Sequence, residues 1–456
     1  DCTIEAVEMK SAEHSPGYLH ERHGMAWRAL FAERGFRYFF MAMLVSLFGT
    51  GLNFAGVTWY ILAKTGSTEA VGITVVLLTL PGLAAPLVGG VLIDRLDRRY
   101  LGISVDLARG VIVAIVALAI YFGHRGVALL DTMVLLLGAG FATYWPTVNA
   151  LFQEIVPRER LVAGNAAVLI AVQGGMAIAG TVVGFVYDRA GLPAILAVDA
   201  GTYFFSAFCL WRVRRGHVPP RASRELEAEP PLANAEQPLL APIIEPLARI
   251  GVGLRREWRE GVAYLRREPR VLALGATYAC MMAGVISANV LIVALVRHVL
   301  HSGPRGFGAI EAGWAVGAIL GGFAVGWLVR AFSRTSILIA ALAVLAVGHA
   351  LFPYARFLIV AAAMYGIFGG CRALGGVLTQ SSIMAIVPKE LMGRTQSVFS
   401  MLATLLQVIM SFLLGWLAER VNLHAAFVAL GLLYALAVVA AWRARDAVRS
   451  GTAPVS

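Results

Sequence analysis

Charged residues are scarce in this chain. Asp, Glu, Lys and Arg make up 14% of its 456 residues, against about 25% in soluble domains. So few charges cannot cover a water-facing surface, and with 59% hydrophobic residues the surplus apolar surface must face lipid. The alternating segments of about 10 residues that build a transmembrane barrel are missing. The sequence therefore predicts an all-α membrane protein, because helices also satisfy their backbone hydrogen bonds in lipid.

The motifs of several other protein classes are missing as well. The four cysteines show no CxxC spacing, and no His, Cys and carboxylate set has metal-ligand spacing. There is no phosphate-binding Gly-Lys-Ser/Thr loop and no Ser-centred nucleophile elbow. A basic stripe interleaved with aromatic residues, typical of nucleic-acid binders, is also absent. We therefore expect no cofactor, no metal, no nucleic-acid partner and no enzymatic activity.

The chain instead contains a series of long apolar runs. A helix needs about 20 apolar residues to cross the hydrocarbon layer of a bilayer. The predicted spanning segments lie at 36–63, 70–93, 101–122, 127–151, 164–186, 193–213, 270–298, 307–329, 335–353, 356–384, 395–418 and 422–442. They form two sets of six.

A polar stretch separates the two sets. Its first part is Pro-rich from Pro219 to Pro246 and predicts a disordered linker. Its second part is charged and predicts an amphipathic helix along the membrane surface. The predicted domains are an N-terminal segment at 1–35, a first bundle at 36–213, this linker at 214–268, a second bundle at 269–443 and a tail at 444–456.

Basic residues are distributed unevenly between alternate loops. The side that carries the termini and the central linker holds 29 of the 38 Lys and Arg, and the opposite loops hold seven. The remaining two, Arg109 and Arg372, lie within predicted segments. Because cytoplasmic loops retain positive residues, we expect both termini in the cytoplasm, in a multi-pass protein of a bacterial-type inner membrane.

The two halves also share sequence. The phrase IVPRE at 155–159 returns as IVPKE at 386–390, an offset of 231 residues. At the same offset Gly184 matches Gly415, and the acidic-basic pair DR at 188–189 matches ER at 419–420. Duplicated halves are a design of secondary transporters, in which two bundles rock around a shared midplane site. A receptor or a membrane-embedded enzyme has no general need of this plan.

A short motif follows the second predicted segment. Residues 89–99 read GGVLIDRLDRR, with glycines that permit close helix packing, an acidic cap and an arginine cluster. This resembles the loop 2–3 signature of the major facilitator superfamily. LPG at 80–82, DLAR at 106–109 and GVAYLRREP at 261–269 extend the resemblance to the branch of macrolide-efflux proteins and the enterobactin exporter.

The resemblance implies a major facilitator fold, with twelve transmembrane helices in two pseudo-symmetric six-helix bundles. It also implies a cytoplasmic charge latch, which carries over to Asp94, Arg95, Arg98 and Arg99. The second half keeps Gly326 and basic residues at the equivalent place but lacks the Asp. Drug antiporters of a related branch carry an Arg in the fourth helix that is missing here, so proton coupling is implied by the family alone.

Ionisable groups within the predicted segments are the sharpest site candidates, because they are costly in a membrane. Arg372 lies mid-segment without a carboxylate at equivalent depth. It predicts contact with an anionic or zwitterionic substrate, contact with a carboxylate that is protonated in alternation, or a structural pair with a further partner. Asp106 and Arg109 are three residues apart and can pair, which favours a structural role over coupling. Asp199 is a candidate for coupling or structure, and Glu311 for the cavity.

Further polar and aromatic residues on cavity-type segments complete the predicted binding site. These are Asn53, Tyr144, Trp145, Asn149, Gln173, Asn289 and Gln380. Apolar walls with few polar groups suit small apolar or amphiphilic molecules.

We therefore predict a monomeric secondary exporter of drug or siderophore type that works by alternating access. Its partners would be a small-molecule substrate, the lipid bilayer and, by the family resemblance, protons exchanged in antiport. The alternatives are a lipid or lysolipid carrier or an uptake permease of the same fold. From another class, a non-transporting membrane receptor or a membrane-embedded enzyme remains open.

Overall fold

The computed structural model describes residues 28–84, 96–157, 160–213 and 259–445. The first half of the chain contains α1 (Arg34–Thr65), α2 (Thr68–Thr79), α3 (Arg98–Tyr121) and α4 (Val127–Ile155). The second half contains α7 (Pro269–His298), α8 (Pro304–Ala331), α9 (Arg334–Leu351), α10 (Leu358–Ile386), α11 (Lys389–Arg420) and α12 (Leu423–Arg443).

Helices α5 and α6 are the two limbs of one helical run, Leu161–Arg212. The run turns at Gly191, where φ is 69° and ψ is −172°, a backbone conformation that glycine adopts without steric cost. Pro193 follows two residues later and starts the next limb. We call residues 161–190 α5 and residues 192–212 α6.

Ten of the described helices are long and apolar enough to cross a membrane. The α5–α6 run counts as one of the ten, yet its 52 residues are long enough to cross twice. Helix α2 continues into a 3₁₀ turn, and the apolar stretch Thr68–Leu83 ends close to where the described residues break off. The predicted arrangement of twelve spans in two halves is confirmed.

Corresponding helices pack alike in the two halves. In the first half α1 packs on the α5–α6 run, α3 on that run and on α4, and α2 on α4. In the second half α7 packs on α11 and α12, α9 on α12 and on α10, and α8 on α10. The duplication read from the repeated IVPRE phrase is therefore visible in the packing.

The halves meet along two crossings, α2 on α11 and α5 on α8. Glycines bring the backbones together at both. A Cβ at Gly72 of α2 would lie 2.7 Å from the carbonyl oxygen of Ser411 on α11, and one at Gly308 of α8 would lie 2.6 Å from that of Gly180 on α5. Such approaches exclude any larger residue without a backbone shift.

The two ends of the bundle need neutral names. We call the side at which α1 begins and α12 ends the terminal face, and the side at which α1 ends and α12 begins the distal face. The short helix at 259–267 precedes α7 at the terminal face, with Gly261 and Leu265 buried and Arg266 and Arg267 exposed. This is the end of the predicted amphipathic helix. The rest of the predicted linker, 214–258, lies outside the described residues.

Candidate functional site

Side-chain bonds between the halves gather at the distal face. On the α5–α8 crossing, Arg305 Nε lies 2.8 Å from Asp188 Oδ2. On the α2–α11 crossing, the backbone N–H of Thr68 donates to Glu419 Oε2 at 2.8 Å. Asp188 and Glu419 are the acidic residues that the internal repeat matches at an offset of 231. These two contacts, which we call the distal closure, therefore each use an acidic residue from equivalent positions in the two halves.

The terminal face is held differently. Over the described ranges, each ion pair at this face joins residues of the same half. The pairs are Arg98–Glu154 at 2.6 Å, Arg160–Glu33 at 2.6 Å and Arg394–Glu260 at 2.5 Å. Among the described residues, the ion pairs and side-chain hydrogen bonds that join one half to the other are thus found at the distal end.

The predicted latch residues fall partly within the structure. Asp94 and Arg95 lie outside the described residues, so their contribution stays a prediction. Arg98 forms its ion pair within the first half. Arg99 donates from Nε to the carbonyl oxygen of Leu210 at 3.1 Å and from Nη2 to that of Trp211, which ties the start of α3 to the end of α6.

Arg109 is the centre of a buried polar network in the first half. Its Nη2 donates to the Tyr203 hydroxyl at 2.6 Å and to Thr50 Oγ1 at 3.2 Å. Its Nη1 lies 3.5 Å from Asp106 Oδ1, so the pair predicted from the three-residue spacing is formed. Ser206 donates to Asp106 Oδ2 at 2.6 Å. The network joins α1, α3 and α6.

Asp199 adds a second carboxyl group to this region. It is fully buried on α6 and accepts hydrogen bonds from Asn53 Nδ2 at 2.6 Å and from Thr202 Oγ1 at 3.4 Å. Asp199, Thr202, Tyr203 and Ser206 follow the spacing i, i+3, i+4, i+7, which places them on one helix face. That polar stripe on an apolar helix is the sequence signal for Tyr203 and Ser206, which the motif reading missed.

Loss of the Arg109 charge is expected to destabilise the first half strongly. Arg109→Leu leaves the Asp106 carboxylate buried without its cation, which costs about 3–5 kcal/mol of the free energy of unfolding. The measurement is the thermal midpoint of the purified protein in detergent. Arg125→Leu, an exposed change between α3 and α4, is the matched control, and an Arg109→Leu midpoint equal to that of the control would contradict the structural role.

Arg372 lies within the second half. Its Nη2 reaches Met282 Sδ on α7 at 3.5 Å, and Tyr278 of α7 and Tyr434 of α12 are its electrostatic neighbours. The buried Nε atom has no hydrogen-bond partner among the described residues. No carboxylate within those residues pairs with the guanidinium, which leaves donors available to a further group.

Glu311 lies on α8 where that helix crosses α5. A Cβ at Gly180 would sit 2.7 Å from the Glu311 Cβ. Its Oε1 atom is buried and has no hydrogen-bond partner in the described part of the chain. Glu311 therefore belongs to the contact between the halves, a place that the sequence did not specify.

The other predicted cavity residues are spread over both halves. Asn53 and Tyr144 are buried in the first half, where the Tyr144 ring lies 5.4 Å from the Arg109 guanidinium. Trp145 stacks on Phe141, and Asn149 lines a cleft of about 270 Å³ between α4 and α5. Gln173, Asn289 and Gln380 are half-buried. That these residues line one common cavity stays a prediction.

The fold and these features define a polytopic helical carrier architecture, with two equivalent bundles and charged groups inside them. The family model of the Major Facilitator Superfamily matches residues 39–321 and 274–454. The chain therefore belongs to the Major Facilitator Superfamily, and it is a transporter of that family.

Two similar proteins are efflux transporters. The multidrug efflux pump Tap of Mycolicibacterium fortuitum is 26% identical over 419 residues, which are 89% of this chain and 94% of that protein. Macrolide efflux protein A of Streptococcus pyogenes is 23% identical over 403 residues, 87% of this chain and 92% of that protein.

Solved structures show the same fold at low identity. The nucleoside transporter NupG has a TM-score of 0.63 at 11% identity, with 90% of this chain and 98% of that chain covered. The POT family transporter PepTSo has a TM-score of 0.66 at 12% identity, with 92% and 98% covered.

Proposed function

We propose that this transporter is a secondary active exporter of small apolar or amphiphilic molecules, of drug or siderophore type. It would expose one site between its halves alternately to the two sides of a bacterial inner membrane, with proton antiport as the energy source. The observation that carries the proposal is the distal closure, built twice from repeat-related positions. Such a closure is one of the two end states that alternating access requires.

Direction and topology rest on two further observations. The terminal face carries the excess of Lys and Arg, which supports a cytoplasmic location for both termini. The distal face would then be the outer one, and the structure would represent the conformation closed to the outside. The curated relatives are efflux proteins by name, which supports export over uptake.

The interior chemistry supports the proposed substrate class. Helical walls rich in apolar residues bind amphiphilic molecules by burying apolar surface area, and a few polar groups orient the bound molecule. Arg372 supplies one cation with free donors in the second half, which favours molecules that carry an anionic or zwitterionic group beside their apolar part.

Proton antiport predicts that substrate entry alkalinises the vesicle lumen. Purified protein is reconstituted in liposomes that contain a trapped pH-sensitive dye, and the membrane potential is clamped with potassium and valinomycin. Addition of a macrolide, an amphiphilic cation or a catechol siderophore to the outside should raise the internal pH for the transported class. The cause is that each entering solute drives protons outward.

Protein-free liposomes receive the same additions, because weak bases cross lipid unaided and raise internal pH by themselves. A pH change no larger than in these liposomes, for all three solute classes, would contradict proton antiport of this substrate range. Acidification of the lumen would indicate symport instead.

A further inference from the structure

The carboxyl group of Glu311 stands at a contact that alternating access must break and remake. Around it α5 and α8 approach to backbone distance, since Gly308 of α8 lies against the carbonyl oxygen of Gly180 and Gly184 of α5 lies against Arg305. With the halves closed at the distal face, the Glu311 side chain is half-buried in this crossing and its Oε1 atom is buried. The side chain meets water when the halves separate there.

The helices packed around Glu311 offer it no compensating charge. Tyr365 of α10 is a titratable neighbour of the carboxyl, and its ring packs on Trp314 at 4.9 Å. From α5, the contact is made by Gly180. Among the described residues, no basic side chain forms a salt bridge with the Glu311 carboxyl, and its Oε1 atom has no hydrogen-bond partner.

The nearest ion pair on the same crossing is Arg305–Asp188. Arg305 lies six residues before Glu311 on α8, about 9 Å along the helix axis. Arg372 lies seven residues beyond Tyr365 on α10, about 10 Å deeper, and its Nη2 is directed at Met282 of α7. Both arginines are therefore outside the contact that encloses the Glu311 carboxyl.

Burying an oxygen of an ionised carboxylate carries a desolvation cost, and no cation among the described residues compensates the charge of Glu311. A protonated carboxyl group without a hydrogen-bond partner costs much less to enclose. The closed crossing therefore favours the protonated form of Glu311, whereas the open crossing tolerates either form in contact with water.

We propose that Glu311 is the residue whose protonation accompanies closure of the distal face. The proton would be taken from the distal compartment while the crossing is open and enclosed as α5 and α8 meet. Loss of the proton toward the terminal side would leave a charge in the crossing and favour its reopening. The inference rests on the proposed proton antiport and names the group that performs its coupling step.

The test is the pH dependence of the distance between the halves. Spin labels are attached at His124 and Arg356, which are exposed in distal loops of the first and second half, after the four native cysteines are replaced by alanine. The full-length protein is studied in lipid nanodiscs between pH 5.5 and 8.5. One linked proton changes the closed-to-open ratio by up to about tenfold per pH unit.

In the parent protein the short-distance population should fall as the pH rises. In Glu311→Gln, which mimics the protonated form, it should predominate at every pH, and proton-driven efflux should stop. Glu311→Asp should keep a pH-dependent ratio. The proposal is overturned if the parent shows no pH dependence, or if Glu311→Gln responds to pH as the parent does.

Asp188→Asn is the matched control, since it removes a carboxylate from the same crossing. It should weaken closure at all pH values and leave the steepness of the pH response unchanged. The distance measurement needs no substrate. The protein could therefore show no efflux activity and still show a pH response that depends on Glu311. That result would contradict the exporter assignment but would support the proton-linked closure.

Discussion

Substitution of Arg372 by alanine is expected to lower transport about 100-fold, with an unchanged amount of protein in the membrane. Its Nε atom is buried without a hydrogen-bond partner and its Nη2 reaches only a weakly accepting sulfur, so the guanidinium keeps donors for a further group. Loss of a charge-assisted contact worth about 3 kcal/mol corresponds to that factor. Efflux of a fluorescent substrate from energised cells, normalised to protein level, measures it.

Two variants make this result specific. Arg372→Lys keeps the charge but loses the planar fork of donors, and should fall between the parent and the alanine variant. Arg443→Ala removes an exposed arginine from the end of α12 and should transport normally. Normal transport by Arg372→Ala would remove this residue from the substrate site.

The second large effect is expected at the backbone contact between α5 and α8. In Gly308→Leu the new Cβ alone would lie 2.6 Å from the Gly180 carbonyl oxygen, so the two helices must move apart. The distal face would then fail to close, and transport should drop to the background of cells without the protein. Gly308→Ala should give a smaller loss in the same direction.

The matched control lies on the same helix. A Cβ at Gly322 would meet nothing within 4 Å, so Gly322→Leu should transport like the parent. In the spin-label experiment at His124 and Arg356, Gly308→Leu should show the long distance at every pH. If it closed the distal face and transported normally, the crossing would not be the contact on which closure depends.

Much of the fold follows from the sequence by simple physics. Twelve apolar runs predict twelve spans because a helix of about 20 apolar residues matches the hydrocarbon thickness. The offset of 231 residues predicted two equivalent halves, and it also selected Gly184, Gly415, Asp188 and Glu419. Those four residues lie at the two crossings between the halves, because a duplicated bundle reuses the same helix faces for its interface.

The candidate site was harder to predict because helix rotation is weakly encoded in a membrane. A helix that is apolar on all sides gives little periodicity to indicate which face meets protein and which meets lipid. The sequence placed Glu311 at a helix end and offered it as a cavity residue, whereas the structure puts it between α5 and α8. In α6 the stripe from Asp199 to Ser206 was readable, since four polar residues share one face there.

The positions of the two glycine crossings have a consequence for the motion itself. One crossing lies on the α2–α11 edge of the molecule and the other on the α5–α8 edge, so a rigid half that lifts from one must pivot about the other unless both release together. Partial separation would twist the bundles against each other in the bilayer plane. We therefore expect opening to be concerted, with few half-open molecules at any moment. Its rate should depend on the combined free-energy cost of breaking both contacts.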